Sequence, residues 1–67
     1  MARTVVCNDL PLTTNATTIA EFVITHIGQR DGVAVAQNGV VVLRSAWDHT
    51  DIHDGDQLDV LTAVQGG

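Results

Sequence analysis

Lysine is absent from this chain of 67 residues, in which three arginines stand against eight acidic residues. The formal net charge of -5 at pH 7 gives the surface a negative field, because each unpaired carboxylate adds to it. Such a surface disfavours binding to nucleic acids and to anionic membranes. It favours a partner with a basic docking face.

Cysteine occurs once, at Cys7, and the aromatic residues are limited to Phe22 and Trp47. A single cysteine excludes an internal disulfide, and we interpret it as a buried structural thiol, because free cysteine packs as a small hydrophobe. The core is expected to be aliphatic and rich in β-structure. No charged and apolar leader opens the sequence, and no apolar run approaches the ~20 residues that span a bilayer. We therefore expect a cytoplasmic protein.

The first residues predict a β-hairpin. The β-branched run Arg3–Cys7 predicts a strand, and Asn8-Asp9 predicts a turn. Residues 10–13 then form a second strand. Pro11 confines that strand to a sheet edge, because proline cannot donate a hydrogen bond to a ladder.

A helix is predicted next. Thr18 and Glu21 have the spacing of a capping box, in which Thr18 accepts from a backbone N–H one turn on and Glu21 reaches back to the N–H of Thr18. The helix covers residues 19–27, and Gly28 is suited to a left-handed cap after its end. His26 lies in its last turn, where a partly positive ring complements the helix dipole. The apolar face consists of Ile19, Phe22, Val23 and Ile27.

The Asn38-Gly39 pair predicts a second hairpin. It separates the apolar runs 33–36 and 40–43, and both central residues of a type I′ turn need positive φ. Residues 57–64 alternate between the two faces of a last strand. If this strand lies parallel to the first in the middle of the sheet, the helix covers one apolar face. We predict an α+β fold, with a mixed sheet of four to five strands packed on one helix.

Residues 45–48 predict one short helical turn, in which Trp47 is either a core residue or a partner anchor; we favour the core. His49 and His53 are four residues apart and flanked by aspartates. A zinc site needs further ligands and no helical pattern continues here. We therefore interpret residues 50–56 as a solvated acidic loop without a metal.

The sequence ends in a glycine pair, and we divide it into a folded domain, residues 1–63, and a flexible tail, residues 64–67. Gly66 and Gly67 lack a Cβ, so they pass through backbone conformations closed to other residues and leave the terminal carboxylate unshielded. Such a tail can thread into a narrow site, although small residues at a terminus often have no function. Because lysine is absent, an activated C-terminus would find no lysine amine on its own chain.

Several motifs together carry a family resemblance over the whole chain. They are the strand end at Asn8-Asp9, the helix start at Thr18 and Glu21, and the segments Val35-Ala36-Gln37-Asn38-Gly39-Val40-Val41, Arg44-Ser45-Ala46-Trp47, Asp54-Gly55-Asp56 and Val60-Leu61-Thr62-Ala63-Val64-Gln65-Gly66-Gly67. This ordered set resembles the β-grasp sulfur-carrier proteins of thiamine biosynthesis, the ThiS family, within the ubiquitin-like group. One departure is Leu43, where many relatives have a proline before the arginine.

The resemblance implies a β-grasp fold and a protein cosubstrate with no catalytic residues and no bound cofactor of its own. Its working group is the carboxylate of Gly67. A ThiF-type adenylating enzyme, similar to ubiquitin-activating enzymes, uses ATP to convert this group into an acyl-adenylate. Sulfur from a persulfide donor then displaces AMP and leaves a thiocarboxylate. A ThiG-type thiazole synthase is the implied acceptor.

The resemblance also implies roles for the tail inside the partner's site. Gly67 carries the sulfur, Gly66 permits an extended approach without a side-chain clash, and Val64 and Gln65 set the reach from the last strand. Docking is expected to use the sheet face and the neighbourhood of the tail. The negative charge would steer the protein towards a basic surface.

Other functions stay open at this point. The small subunit of molybdopterin synthase uses the same chemistry on a different acceptor, but the short length and the Ala63-Val64-Gln65 approach favour the thiamine branch. A ubiquitin-like modifier also needs a terminal glycine pair, and a β-grasp binding module would have a passive tail. A metal-dependent enzyme at His49 and His53 is the least favoured reading.

Overall fold

A mixed sheet with one α-helix on one face forms the fold, and the computed structural model describes residues 2–62. Within that range the strands stand in the order β2-β1-β5-β3-β4. β5 is parallel to β1 and antiparallel to β3. The predicted central position of the last strand is confirmed. The elements are β1 (Arg3–Cys7), β2 (Leu10–Thr14), α1 (Ile19–His26), β3 (Val33–Gln37), β4 (Val40–Val42), a 3₁₀ helix (Arg44–His49) and β5 (Gln57–Thr62).

The first hairpin forms as predicted, with β2 one residue longer. Asn8 and Asp9 have φ of 50° and 69°, the positive values that a type I′ turn requires. The edge position of β2, which contains Pro11, is confirmed. Thr14 extends the strand because it pairs with Arg3. It is also buried, and its hydroxyl accepts a hydrogen bond from the backbone N–H of Ala16.

The helix cap is confirmed in one half and displaced by one residue in the other. The Thr18 hydroxyl accepts from the Glu21 backbone N–H at 3.2 Å. The Glu21 carboxylate, however, accepts from the backbone N–H and the hydroxyl of Thr17, at 2.7 and 2.8 Å. Thr17 supplies two donors at once, which explains why the carboxylate reaches past Thr18. The helix ends one residue earlier than predicted, because Ile27 is its C-cap.

The second hairpin contains the expected turn, with φ of 51° at Asn38 and 84° at Gly39. β3 continues one residue beyond its predicted end to Gln37, which pairs with Val40. β4 ends one residue early, because Leu43 begins the 3₁₀ helix as its N-cap. That helix covers six residues, longer than the single turn predicted.

Replacing Leu43 with proline is expected to preserve the fold and to raise the free energy of unfolding by at most about 1 kcal/mol. Leu43 has φ of -62°, within the range that proline fixes. Its predecessor Val42 is in a strand, the conformation that a following proline favours. Urea denaturation would measure the effect. A loss above about 1 kcal/mol would show that the Leu43 backbone N–H stabilises the fold.

The core lies between α1 and the sheet. Trp47 is 1% exposed and its indole N–H donates to the carbonyl of Val42 at 3.0 Å, so the predicted core position of Trp47 is confirmed. A backbone pairing of Thr18 with Asp51 joins the start of α1 to the loop before β5. The buried apolar residues are Val5, Ala16, Ile19, Ala20, Phe22, Val23, Val35, Trp47, Ile52, Leu58 and Val60.

Candidate functional site

The four residues predicted to form the working tail, Val64, Gln65, Gly66 and Gly67, lie outside the described residues. The predicted domain boundary between residues 63 and 64 lies there too, and both stay predictions. What the structure places is the strand that precedes them, β5, which ends at Thr62. The candidate site is therefore built from the surroundings of β5.

Backbone pairing holds the two sides of β5 to different extents. On one side β3 pairs along the strand from Leu58 to Thr62. On the other side the parallel pairing with β1 covers only two positions, Val6↔Gln57 and Cys7↔Leu58. β1 ends there, because the chain turns into the first hairpin. The end of β5 that leads to the tail thus has a strand neighbour along one side only.

Two asparagine side chains attach β5 to the turns on its flanks. Near the end of the strand, Asn8 Oδ1 accepts from the Val60 backbone N–H at 2.8 Å, and Asn8 Nδ2 donates to the Val60 carbonyl at 3.1 Å. At the start of the strand, Asn38 Oδ1 accepts from the Gln57 backbone N–H at 2.9 Å. The Asn8 amide therefore makes the two hydrogen bonds that a strand neighbour would make to Val60.

A buried carboxylate gathers the loops at the start of β5. Asp56 Oδ2 accepts from Gln37 Nε2 and from the His53 backbone N–H, both at 2.8 Å. Asp56 Oδ1 accepts from Asn38 Nδ2 at 3.0 Å. Burial acts to raise the pKa of Asp56, but these hydrogen bonds to its ionised form outweigh burial and lower the pKa below its ordinary value of 3.8. The ionised carboxylate of Asp56 thus joins the second hairpin to the loop at the start of β5.

Acid is expected to weaken the fold through Asp56. Its pKa is lower in the folded than in the unfolded chain, so the unfolded chain takes up protons first as the pH falls. The stabilisation is therefore complete above the ordinary value of 3.8 and is lost as the pH falls through the folded-state pKa. Urea denaturation of the wild type and of Asp56→Asn at a series of pH values would measure it.

At about pH 7 the wild type should exceed Asp56→Asn by roughly 1–3 kcal/mol in the free energy of unfolding, because the amide leaves buried donors unmatched. This difference should narrow below about pH 4. Glu21, whose pKa is lowered chiefly by its hydrogen bonds from Thr17, titrates equally in both proteins and cancels. A difference that stays constant down to about pH 2.5 would contradict the assignment.

The face of the sheet away from α1 is open and mainly apolar. Side chains alternate between the faces of a strand, so the neighbours of the buried strand residues point outward. Val41 and Leu61 are 68% and 72% exposed. Asp59 supplies the carboxylate of this face, and it pairs with Ala36. We define the open sheet face as Val6, Ala34, Ala36, Val41, Asp59 and Leu61.

Cys7 lies at the margin of the core. It is partly buried and packs against the core cluster, so the predicted structural thiol is partly confirmed. Burial, followed by the charge of Asp59, raises the pKa of the thiol. Because the thiolate is the reactive form, the thiol of Cys7 is a weak nucleophile at neutral pH.

The three histidines belong to three different parts of the chain: α1, the 3₁₀ helix and the loop before β5. His26 Nε2 lies 2.8 Å from the Thr14 hydroxyl and its ring packs on Phe22, so this histidine links α1 to β2. His49 ends the 3₁₀ helix, and His53 is exposed in the loop before β5. Within residues 2–62, no three side chains of the His, Cys, Asp and Glu types are grouped to hold a metal ion.

Over the same described range, α1 and the other helical segment are too short or too polar to cross a membrane.

Two comparisons with known proteins find matches that cover nearly the whole chain. The model of the ThiS family matches residues 2–67. Among solved structures, the thiamine biosynthesis protein ThiS of Geobacter metallireducens is similar, with 29% sequence identity and a TM-score of 0.78 over 96% of this chain and 99% of that chain. A search of the curated proteins finds no match. This likeness confirms the predicted β-grasp fold, and because the family model spans nearly every residue, the chain belongs to the ThiS family.

Proposed function

We propose that this protein is a sulfur carrier of thiamine biosynthesis whose Gly67 carboxylate is converted to a thiocarboxylate. The observation that carries the proposal is the family match, which runs from residue 2 to the final glycine pair. The likeness to a thiamine biosynthesis protein over 96% of the chain supports the pathway.

The chemistry needs an activating partner because a free carboxylate is a poor electrophile. A ThiF-type adenylating enzyme joins the Gly67 carboxylate to the AMP part of ATP and releases pyrophosphate. The terminal sulfur of a persulfide donor then attacks the carbonyl carbon, and AMP leaves as an acyl disulfide forms. A thiol next attacks the donor-side sulfur of this acyl disulfide, forms a disulfide with it and releases the carrier's sulfur. The product is a thiocarboxylate, a soft nucleophile that a ThiG-type thiazole synthase takes up.

The ATP requirement and the free Cys7 favour a cytoplasmic protein.

In this proposal the protein is a cosubstrate, and the partner enzymes recognise its surfaces. The open sheet face lies beside β5 and provides apolar area for docking, with Val41 and Leu61 exposed. The excess of acidic residues steers the protein towards a basic partner surface, mainly by raising the association rate. The tail, residues 64–67, then enters the partner's active site while the folded body stays outside.

Sulfur delivery to purified acceptors tests this function. The protein is first treated with the adenylating enzyme, ATP and a persulfide donor, and is then offered to a thiazole synthase or to the large subunit of molybdopterin synthase. We expect sulfur to reach the thiazole product and no sulfur to be delivered by a variant that lacks Gly67. Delivery to molybdopterin synthase alone would select the other carrier branch. Adducts of the Gly67 carboxyl group on lysines of other proteins would select the modifier function.

A further inference from the structure

The two hairpin turns beside β5 are matched in structure. Each begins with an asparagine in the left-handed conformation, with φ of 50° at Asn8 and 51° at Asn38. Each asparagine also hydrogen bonds through its side chain to the backbone of β5. They differ in the end of β5 that they hold. Asn38 holds Gln57, at the start, and Asn8 holds Val60, two residues before the strand ends at Thr62.

We propose that Asn8 is a positioning residue for the activation of Gly67, because it fixes the direction in which β5 leaves the sheet. This inference rests on the proposed function. Beyond Leu58, the last position of β5 that pairs with β1, the Asn8 amide takes over both hydrogen bonds to the Val60 backbone. On the other side of β5, Val60 is in register with Val35 of β3.

The distance to the reacting group makes this direction matter. Gly67 lies five residues after Thr62, and five residues of extended chain span at most about 17 Å. When the folded body is docked, a change of about 10° in the exit direction would displace the end of such a span by about 3 Å. Misplacement of a reacting group by about 1 Å can reduce a rate by about 100-fold. The partner's site can correct part of that error, so we expect a smaller effect.

The variants Asn8→Gly and Asn38→Gly form a matched pair. Glycine adopts positive φ without strain, so each variant removes the side-chain amide and keeps the turn. Each variant loses two side-chain hydrogen bonds: Asn8→Gly loses both bonds to Val60, and Asn38→Gly loses one to Gln57 and one to Asp56. Both variants are therefore expected to lower the denaturation midpoint. Initial rates of adenylation by a ThiF-type enzyme at saturating ATP would separate positioning from stability.

For Asn8→Gly we expect kcat to fall by about threefold to tenfold, with KM within about twofold of the wild type, because the docking face is intact. For Asn38→Gly we expect both constants within about twofold of the wild type. Amide hydrogen exchange, which needs no partner, should become faster at Val60 in Asn8→Gly and at Gln57 in Asn38→Gly.

A wild-type kcat for Asn8→Gly, or an equal fall in both variants, would overturn the positioning role while leaving the sulfur-carrier function intact. Unchanged exchange at Val60 in Asn8→Gly would also overturn it. If the wild type itself is not adenylated by an enzyme that activates another carrier, the proposed function fails, and the role of Asn8 in that reaction fails with it.

Discussion

Replacing Gly67 with valine is expected to reduce adenylation by about 100-fold or more, and to leave the fold unchanged. A branched side chain next to the reacting carboxylate would displace it from the attacking geometry within a narrow site. Gly67→Ala, with one methyl group, should give an intermediate rate. The measurement is the release of pyrophosphate from ATP by a ThiF-type enzyme with each variant as substrate.

The controls for Gly67→Val separate activation from folding. The denaturation midpoint should equal that of the wild type. Among the described residues, the last one buried in the core is Val60 of β5, seven positions before Gly67. Ala2→Val adds similar bulk at the other end of the sequence, on an exposed residue, and should be adenylated normally. Adenylation of Gly67→Val at the wild-type rate would contradict the tail mechanism.

Replacing Trp47 with alanine is expected to lower the free energy of unfolding by about 3–5 kcal/mol, because it removes the largest side chain buried within residues 2–62. A domain of 67 residues has little stability to spare, often about 5 kcal/mol, so much of the variant should be unfolded. Circular dichroism during urea denaturation would measure the loss without depending on tryptophan fluorescence.

Trp47→Phe is the matched variant. It keeps an aromatic ring in the core and removes the indole N–H that donates to Val42, so it should cost less than Trp47→Ala. Arg30, whose guanidinium carbon lies 5.6 Å from the Trp47 ring centroid, should tolerate this change. A loss below about 1 kcal/mol for Trp47→Ala would contradict the importance of the buried Trp47 side chain for stability.

The parts of the fold that sequence patterns predicted are those governed by local chemistry. Thr18 predicted the helix start, because its hydroxyl accepts from a backbone N–H three residues on. The Asn38-Gly39 pair predicted its hairpin, because few other pairs adopt two positive φ values. The central place of β5 was a hypothesis based on the element order, because a last strand parallel to β1 lets the helix cross one face of the sheet.

The parts that were missed depend on contacts between distant residues. The Asn8 amide and Val60 are 52 positions apart, and an asparagine before an aspartate indicates only a turn. Asp56 was likewise interpreted as part of a solvated acidic loop, whereas it is 8% exposed. Its signal, if any, was the run Asp54-Gly55-Asp56 directly before a strand, where a carboxylate can meet backbone donors of neighbouring loops. Nothing local distinguishes Asp56 from Asp54.

The intact mass of the protein after incubation with the adenylating enzyme, ATP and a persulfide donor tests the central claim most directly. A variant lacking Gly67 serves as the control. We expect a mass gain equal to the replacement of one oxygen atom by sulfur, located at the Gly67 carboxyl group and absent from the control. An unchanged mass, with the enzyme shown to be active on another carrier, would contradict the sulfur-carrier function and leave the tail without its proposed role.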